Sequence, residues 1–505
     1  MMGVSIKYKS VVTGFVLLIL FASYPSQAHK DVTSEIYRYQ QQEVINRQSA
    51  AHEVKPIISH PPTARVPIDR NKLIEISHRA DKIQHRRYMT DSHLELRFYQ
   101  FRSCIDCHPR QANNLHRVRS KITCRQCHGE EPIAGTRHYY SSMHPIRRFA
   151  VVCAKCHKGA NASFAAYVVH EPNPALKTTQ KNFPLLFYVF WAMAAIATGT
   201  FAIFLPHTIL WGIREFWPNK KIIKNETCTK RKQIKRFTAS QRVFHLVLML
   251  SFVTQAGTGL SRMYAGTDWG YFLIFLFGGY TRALFIHKIV GIFMLAALAF
   301  HLVYILKKVN LKNLPNSLYG PDSLLPRIED ASQAVRHAAW IVGLGKCPKF
   351  DRWTYWEKFD YWAVFWGINI LGITGLILYS PVFSSRFIPG WTINVFLWIH
   401  RIEAVLAMGH VFIIHFFIGH LRRHHFPMDL TMFEGSIDIQ KLQHERSSWV
   451  DRLEANGMLP GLIVKRTSVF WRRFYYLFGS IVLVLCLYLL INGILNAEEL
   501  IRIFK

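Results

Sequence analysis

Acidic residues are scarce in this sequence of 505 residues, in which 31 Asp and Glu stand against 62 Lys and Arg, for a formal net charge of +31. An excess of positive charge on this scale is typical of proteins that bind nucleic acid. Here, however, the basic residues fall largely in segments between apolar runs. That distribution argues against a nucleic-acid partner and favours basic loops between membrane spans.

Cysteine is scarce outside one short region. Six of the nine cysteines lie between residues 104 and 156, and the other three belong to no paired motif. We expect those three, Cys228, Cys347 and Cys486, to be ordinary buried or loop thiols.

The six clustered cysteines form three Cys-x-x-Cys-His pentads, the attachment signature of c-type haem. The two thiols bond covalently to the macrocycle and the adjoining imidazole becomes the proximal iron ligand. Zinc-ribbon spacing and disulfides are the alternatives. Neither explains a His after every second Cys, so we predict three covalent c haems. The pentads are Cys104-Ile105-Asp106-Cys107-His108, Cys124-Arg125-Gln126-Cys127-His128 and Cys153-Ala154-Lys155-Cys156-His157.

Each c haem needs a second axial ligand or keeps an open site. Three histidines lie near a pentad yet outside it, namely His93, His116 and His144, and we predict them as distal ligands and iron-binding residues. A haem with two His ligands is an electron carrier, whereas an open iron suggests catalysis. The other candidates are His78, His85, His138 and His170.

The N-terminal segment has the layout of a secretory signal. Lys7 and Lys9 precede an apolar run, and Ser26-Gln27-Ala28 supplies small residues for cleavage. A retained anchor is the alternative, and in both cases the next segment is exported. We therefore predict a signal peptide over residues 1–28 and a loop-rich, haem-packed periplasmic domain with three c haems over 29–182.

Six apolar runs are long enough to cross a hydrocarbon core of about 30 Å. An apolar patch over 272–277 is too short and is interpreted as interfacial. The loop after the first run is rich in Lys and Arg, whereas the loops 261–283 and 381–394 contain few. The positive-inside rule places the basic loops in the cytoplasm and the pentads on the opposite side. The runs are 183–205, 243–260, 284–306, 361–379, 395–421 and 475–494.

Histidines occur inside these runs, where an ionisable residue is functional by default and faces the bundle interior. The topology places His287 and His400 near the exported side, and His245, His301 and His415 near the cytoplasmic side. Imidazoles matched in depth on facing helices are what two stacked b haems require. His287 and His400 form one pair. His415 has two possible partners, His245 and His301, and its spacing does not choose between them.

The predicted fold is therefore mostly α, with a multihaem c domain outside the membrane and a bundle of about six spans, four of which hold two b haems. We place the protein in the cell inner membrane as a multi-pass protein. After the helix at 183–205, the predicted segments are a basic cytoplasmic loop over 206–240, a dihaem cytochrome b-type domain over 241–435, a cytoplasmic segment over 436–474, and a C-terminal transmembrane helix and tail over 475–505.

Residues 236 to about 435 resemble the cytochrome b subunits of formate dehydrogenases, nickel–iron hydrogenases and thiosulfate reductases. The resemblance lies in Gln241-Arg242-Val243-Phe244-His245, Thr258-Gly259-Leu260, His287-Lys288-Ile289-Val290-Gly291, and His400 with His415. In that family the first helix supplies a ligand, which favours His245 as the partner of His415. The paired His287 and His301 instead resemble the cytochrome b of bc-type complexes. Fusion to a multihaem domain is similar to the quinol dehydrogenases of metal-reducing bacteria.

These features predict a quinol dehydrogenase that oxidises quinol in the bundle and passes electrons through two b haems and three c haems to a periplasmic cytochrome or terminal reductase. Glu403 and His410 share a helix face and are the predicted catalytic residues; for Glu403, a structural partnership with Arg401 or a ligand imidazole is the alternative. The alternative function is that of a membrane anchor and electron relay in a larger complex with additional subunits, delivering electrons to the quinone pool.

The haem assignment predicts the outcome of a pyridine-haemochrome and metal assay on the purified protein. We expect about five porphyrins per polypeptide, three covalent and two extractable, because each pentad and each histidine pair holds one. Zinc in place of iron, or fewer than about four porphyrins, would contradict the assignment.

Overall fold

The computed structural model describes residues 104–108, 111, 114–129, 136, 141–216 and 232–497. The predicted signal peptide, the predicted ligand His93 and the candidates His78, His85 and His138 lie outside these residues. The described chain forms two compact units. The membrane unit comprises the described residues within 174–379 and 395–497, and the pentad unit comprises the described residues before 174 together with Ser380–Asn394.

The described part of the membrane unit contains six helices that are long and apolar enough to cross a membrane. The predictions of a mostly helical fold and of about six spans are thereby confirmed. Each helix extends beyond the predicted run at one end or both, because polar residues at a helix end stay helical outside the hydrocarbon core. The helices are α1 Pro184–Phe216, α2 Ala239–Met263, α3 Tyr280–Leu306, α4 Tyr355–Tyr379, α5 Thr392–Leu421 and α6 Val469–Leu495.

The outer faces of these helices expose large apolar side chains, among them Ile203, Phe300 and Leu477. Apolar side chains on an outer surface suit a bilayer, where lipid replaces water as the solvent. The short patch at 272–277 falls in the helix Asp268–Leu276, whose nine residues are too few to span a bilayer. The other helices of the unit are Lys177–Asn182, Leu314–Tyr319, Ile328–Ile341, Thr431–Glu434, Ile439–Glu445 and Ser447–Ala455.

The start of α2 is fixed by local sequence. The Thr238 side chain accepts a hydrogen bond from the Gln241 backbone, and the Gln241 side chain accepts one from the Thr238 backbone. This reciprocal capping box satisfies backbone donors that a helix start leaves open. The capping box fixes where α2 begins and thereby places His245 in the second turn of that helix.

Helix α5 departs from regular α geometry. It is α-helical over Thr392–Gly409 and continues as π-helix over His410–His415 and Phe417–Leu421. A π segment closes its hydrogen bonds over five residues instead of four and often lies at a functional site. The π segments of α5 therefore hold more residues per turn than an α-helix would, without ending the helix.

A small sheet and the two helices Ile439–Glu445 and Ser447–Ala455 form a cap on the membrane unit. The strands β1 Gln233–Lys235, β2 Ser436–Asp438 and β3 Ile463–Val464 are antiparallel in the order β2-β1-β3, with Ile234 opposite both Ile437 and Ile463. Ile234 is fully buried against Leu442, Trp449 and their neighbours. The cap is tied to α4 because Glu357 Oε1 accepts bonds from Arg236 at 2.7 Å and from Arg446 at 2.9 Å.

Within the pentad unit, the loop 380–394 packs against the chain around residues 163–168. The Asn394 amide accepts a bond from the Val168 N–H and donates one to the Val168 carbonyl, both at 3.0 Å. The Ser163 hydroxyl donates to the Ile388 carbonyl at 3.2 Å. The loop that joins α4 to α5 is thus part of the pentad unit. The helices of this unit are Cys104–Cys107, Leu115–Ser120, Cys124–His128, Arg148–Val151 and Pro381–Ser384, with 3₁₀ turns at Cys153–Lys155 and Phe164–Ala166.

Close backbone packing in this loop can be tested at Gly390. A Cβ atom added there would lie 2.0 Å from the Ser163 carbonyl oxygen. Gly390→Ala must therefore displace the loop, which should lower the free energy of unfolding by about 1–3 kcal/mol. We expect faster limited proteolysis within 380–394. The control is Gly461→Ala, where an added Cβ meets nothing within 4 Å; equal proteolysis of the two variants would contradict the packing.

Candidate haem sites

Helices α3 and α5 bring His287 and His400 face to face. Their ring centroids lie 6.2 Å apart with an interplanar angle of 72°. An iron bound by two imidazole nitrogens at about 2 Å each would separate the centroids by roughly 6.4 Å. The predicted exported-side pair therefore has the separation that axial ligation of one haem requires.

A threonine hydroxyl fixes the protonation of each of these two imidazoles. Thr258 Oγ1 lies 2.9 Å from His287 Nδ1, and Thr374 Oγ1 lies 2.9 Å from His400 Nδ1. Each hydroxyl also lies 2.7 Å from the carbonyl oxygen four residues earlier, to which it donates its proton. The imidazole must then donate from Nδ1, which leaves the lone pair on Nε2 for a metal. The residues present fit an iron at this position.

The two threonines belong to a repeated tripeptide. Thr258-Gly259-Leu260 on α2 supports His287, and Thr374-Gly375-Leu376 on α4 supports His400. A Cβ atom added at either glycine would lie 3.5 Å from Cε1 of the supported histidine, so both backbones pass equally close to an imidazole. Two helix pairs thus present their ligands in the same way.

On the other side of the bundle, α2 and α5 bring His245 and His415 together. The ring centroids are 6.5 Å apart with an interplanar angle of 37°, again close to the roughly 6.4 Å expected around one iron. His415 Nδ1 donates to Asp360 Oδ2 at 3.0 Å, which leaves Nε2 as the ligand atom. A carboxylate behind a ligand imidazole is a common support for a metal-binding histidine.

The π segment of α5 explains how one helix supplies a ligand to each pair. In regular α-helix, the 15 residues from His400 to His415 would offset the two side chains by about 60° around the axis. The π segment begins at His410 and ends its first stretch at His415, so it takes up the extra residue before the second ligand. Both imidazoles can then face the bundle interior.

The structure places His301 away from His415. Its Nε2 atom lies 3.1 Å from the Tyr361 hydroxyl, and its ring packs against Phe244. The geometry therefore brings His245, and not His301, to His415. His301 was predicted only as the alternative partner, and its position on α3 matches a hydrogen-bonded core residue.

Glu403 and His410, the predicted catalytic pair, have different surroundings. Glu403 is buried, with a 2% exposed surface, and its Oε2 atom is buried without a hydrogen-bond partner. His410 is also buried and donates from Nε2 to Asp360 Oδ1 at 2.9 Å. His410 thus belongs to the support of His415, whereas Glu403 keeps an open acceptor.

In the first and third pentads, the backbone places the histidine one helical turn after the first cysteine. The His108 N–H bonds to the Cys104 carbonyl at 2.9 Å, and the His157 N–H bonds to the Cys153 carbonyl at 2.8 Å. Residues four apart share a helix face, as the covalent attachment of one macrocycle requires. Among the pentad cysteines whose side chains the structure describes, Cys104, Cys127, Cys153 and Cys156 form no disulfide bond.

Two histidine pairs in the pentad unit repeat the spacing of the bundle. The ring centroids of His116 and His157 lie 6.0 Å apart, and those of His128 and His170 lie 6.2 Å apart. Burial and the neighbouring His157 lower the pKa of His116 to about 4, and burial lowers the pKa of His157. Both imidazoles are thus neutral at pH 7, the form that binds iron.

The histidines predicted as distal ligands have different surroundings in the pentad unit. His116 faces His157, as a distal ligand should, whereas the Nδ1 atom of the predicted ligand His144 accepts a bond from the Ile146 N–H at 3.4 Å. His170 takes the position opposite His128, although it lies 42 residues further along the chain. His170 is therefore a further candidate for the ligand opposite His128.

Sequence reasoning also missed Asp360 and Thr374. The fourth span was expected to begin at residue 361, which left Asp360 outside it, whereas α4 begins at Tyr355. The repeat of Thr-Gly-Leu in α2 and α4 was the signal that could have found Thr374.

These features define a multi-pass helical membrane protein whose bundle brings two pairs of histidines face to face. Residues 236–435, which include α2 to α5, match the family model of prokaryotic cytochrome b561. The match supports membrane-bound electron transfer with b-type haem and confirms the predicted resemblance of this region to cytochrome b. It covers less than half of the chain and does not include the pentads, α1 or α6. No curated protein matches the sequence.

The choice between His245 and His301 can be tested with one substitution at each position. We expect His245→Ala to lose one of the two extractable haems, about half of the total, because His415 loses its facing imidazole. His301→Ala should retain both. Haem extracted into acidified solvent and assayed as pyridine haemochrome gives the count. Loss from the His301 variant alone would contradict the pairing seen in the structure.

Proposed function

We propose that the protein is a quinol dehydrogenase of the inner membrane that delivers electrons to a periplasmic acceptor. The observation that carries this proposal is the presence, in one chain, of three Cys-x-x-Cys-His pentads and a bundle with two facing histidine pairs. When bound, the haems supply one-electron carriers from the lipid phase to the exported region. A periplasmic cytochrome or terminal reductase would take the electrons.

The loop between α4 and α5 supports this arrangement. It is one of the two loops that are poor in Lys and Arg, and the positive-inside rule assigns it to the exported side. It folds within the pentad unit through Asn394 and Ser163. His400 lies eight residues after the start of α5, and therefore near this end of the helix.

Glu403 is the residue we assign to proton transfer from quinol. It lies three residues after His400 on α5, and residues three apart share a helix face. Its buried Oε2 atom has no hydrogen-bond donor, which is costly for a carboxyl group, and a quinol hydroxyl would supply one. Glycine at position 367 keeps the facing helix α4 close, since an added Cβ would lie 3.6 Å from Glu403 Oε1. His410, held by Asp360, is assigned to the support of His415 and not to quinol.

The alternative is a membrane anchor and electron relay for a separate enzyme, and the match of residues 236–435 to a cytochrome b family supports it. The two functions differ in what the isolated chain can do. A dehydrogenase reduces its own c haems with quinol. An anchor purifies with a stoichiometric large partner and shows no quinol oxidation of its own.

The role of Glu403 predicts a defect in quinol oxidation without loss of haem. We expect Glu403→Gln to slow the quinol-dependent reduction of the c-type α-band by about 10²-fold or more, the usual contribution of a proton acceptor. Stopped-flow absorbance with a short-chain quinol measures the rate. The matched control is Glu454→Gln, at an exposed position. An unchanged rate with full haem content would exclude Glu403 from the reaction.

A further inference from the structure

The two histidine pairs of the bundle have different supporting groups. On the exported side, neutral hydroxyls of Thr258 and Thr374 accept the Nδ1 protons of both ligands. On the cytoplasmic side, the Asp360 carboxylate accepts the Nδ1 proton of His415. The bundle is therefore symmetric in how it spaces its imidazoles but asymmetric in the charge placed behind them.

Asp360 has a second histidine partner, His410. Oδ1 accepts from His410 Nε2 at 2.9 Å, while Oδ2 accepts from His415. The other ring nitrogen of His410, Nδ1, is buried without a hydrogen-bond partner. Asp360 is thus a carboxylate shared between two imidazole N–H groups, whereas the groups behind His287 and His400 are hydroxyls.

We propose that Asp360 is a positioning residue that orients His415 and lowers the reduction potential of the haem held by His245 and His415, relative to that of the haem held by His287 and His400. This inference rests on the proposed function, because it assumes that both pairs bind haem. A carboxylate bonded to a ligand imidazole makes that ligand more basic and stabilises the oxidised iron.

The surroundings of the other pair act in the opposite direction. The guanidinium of Arg262 is close enough to interact electrostatically with both His287 and His400. Positive charge near a haem favours its reduced form, and such effects are large where water is excluded. The site of lower potential is then on the cytoplasmic side, which is the order that outward electron transfer requires.

The first test is the redox titration of Asp360→Asn in the intact, haem-loaded protein. The amide keeps the shape and a hydrogen-bond acceptor but removes the charge. We expect the midpoint potential of one b component to rise and that of the other to stay unchanged, with two extractable haems per chain. The matched control, Thr374→Val, removes a neutral acceptor from the other pair and should leave the component that responds to Asp360→Asn unmoved.

A second variant gives a shift of opposite sign. His410→Phe removes one of the two N–H groups that share the carboxylate, so the negative charge falls more fully on His415, and we expect the same b component to move to a lower potential. If Asp360→Asn loses haem, the potential shift in His410→Phe tests the inference by itself. Two retained b haems with no shift in either variant would overturn the inference. A wild-type protein without two b components would instead overturn the proposed function.

Discussion

The imidazole pairs of the bundle depend on one constraint, which is that each ligand must present a bare Nε2 atom across an apolar interior. A fixed acceptor for the Nδ1 proton holds a histidine ring in this state. For His287, His400 and His415 these acceptors are Thr258, Thr374 and Asp360, which lie on α2 and α4 and not on the helices that carry the ligands they support. The packing of α2 and α4 against α3 and α5 is therefore part of the chemistry of the site, because it sets the orientation of every supported ring.

Much of the fold follows from the sequence because hydrocarbon is a strict solvent. Runs of about 20 apolar residues must be helices when they cross a bilayer, so the six spans and the depth of His287, His400, His245 and His415 could be predicted. The choice of His245 over His301 as the partner of His415 came from the family resemblance. Spacing alone does not decide it, because His301 lies 14 residues after His287 and on the same face of α3. The structure shows that the His301 ring instead forms a hydrogen bond with the Tyr361 hydroxyl.

Features that depend on distant contacts could not be predicted in the same way. The cap sheet pairs Ile234 with residues about 200 positions later, and its strands are two or three residues long, too short for an alternating pattern. The π segment of α5 has no local sequence signature, and the approach of His170 to His128 is set by the packing of a loop-rich unit. Where a unit has little regular secondary structure, periodicity carries little information about which histidine meets which pentad.

Helix α5 carries one ligand of each pair, His400 and His415, together with Glu403 between them. With both haems bound, this one helix would hold a ligand to each iron together with the proposed proton acceptor. A small rotation or axial shift of α5 would then change the coordination of both irons together, whereas a movement of α3 would change the ligand of one pair only. In the haem-loaded protein, α5 would therefore transmit a distortion at one iron to the other.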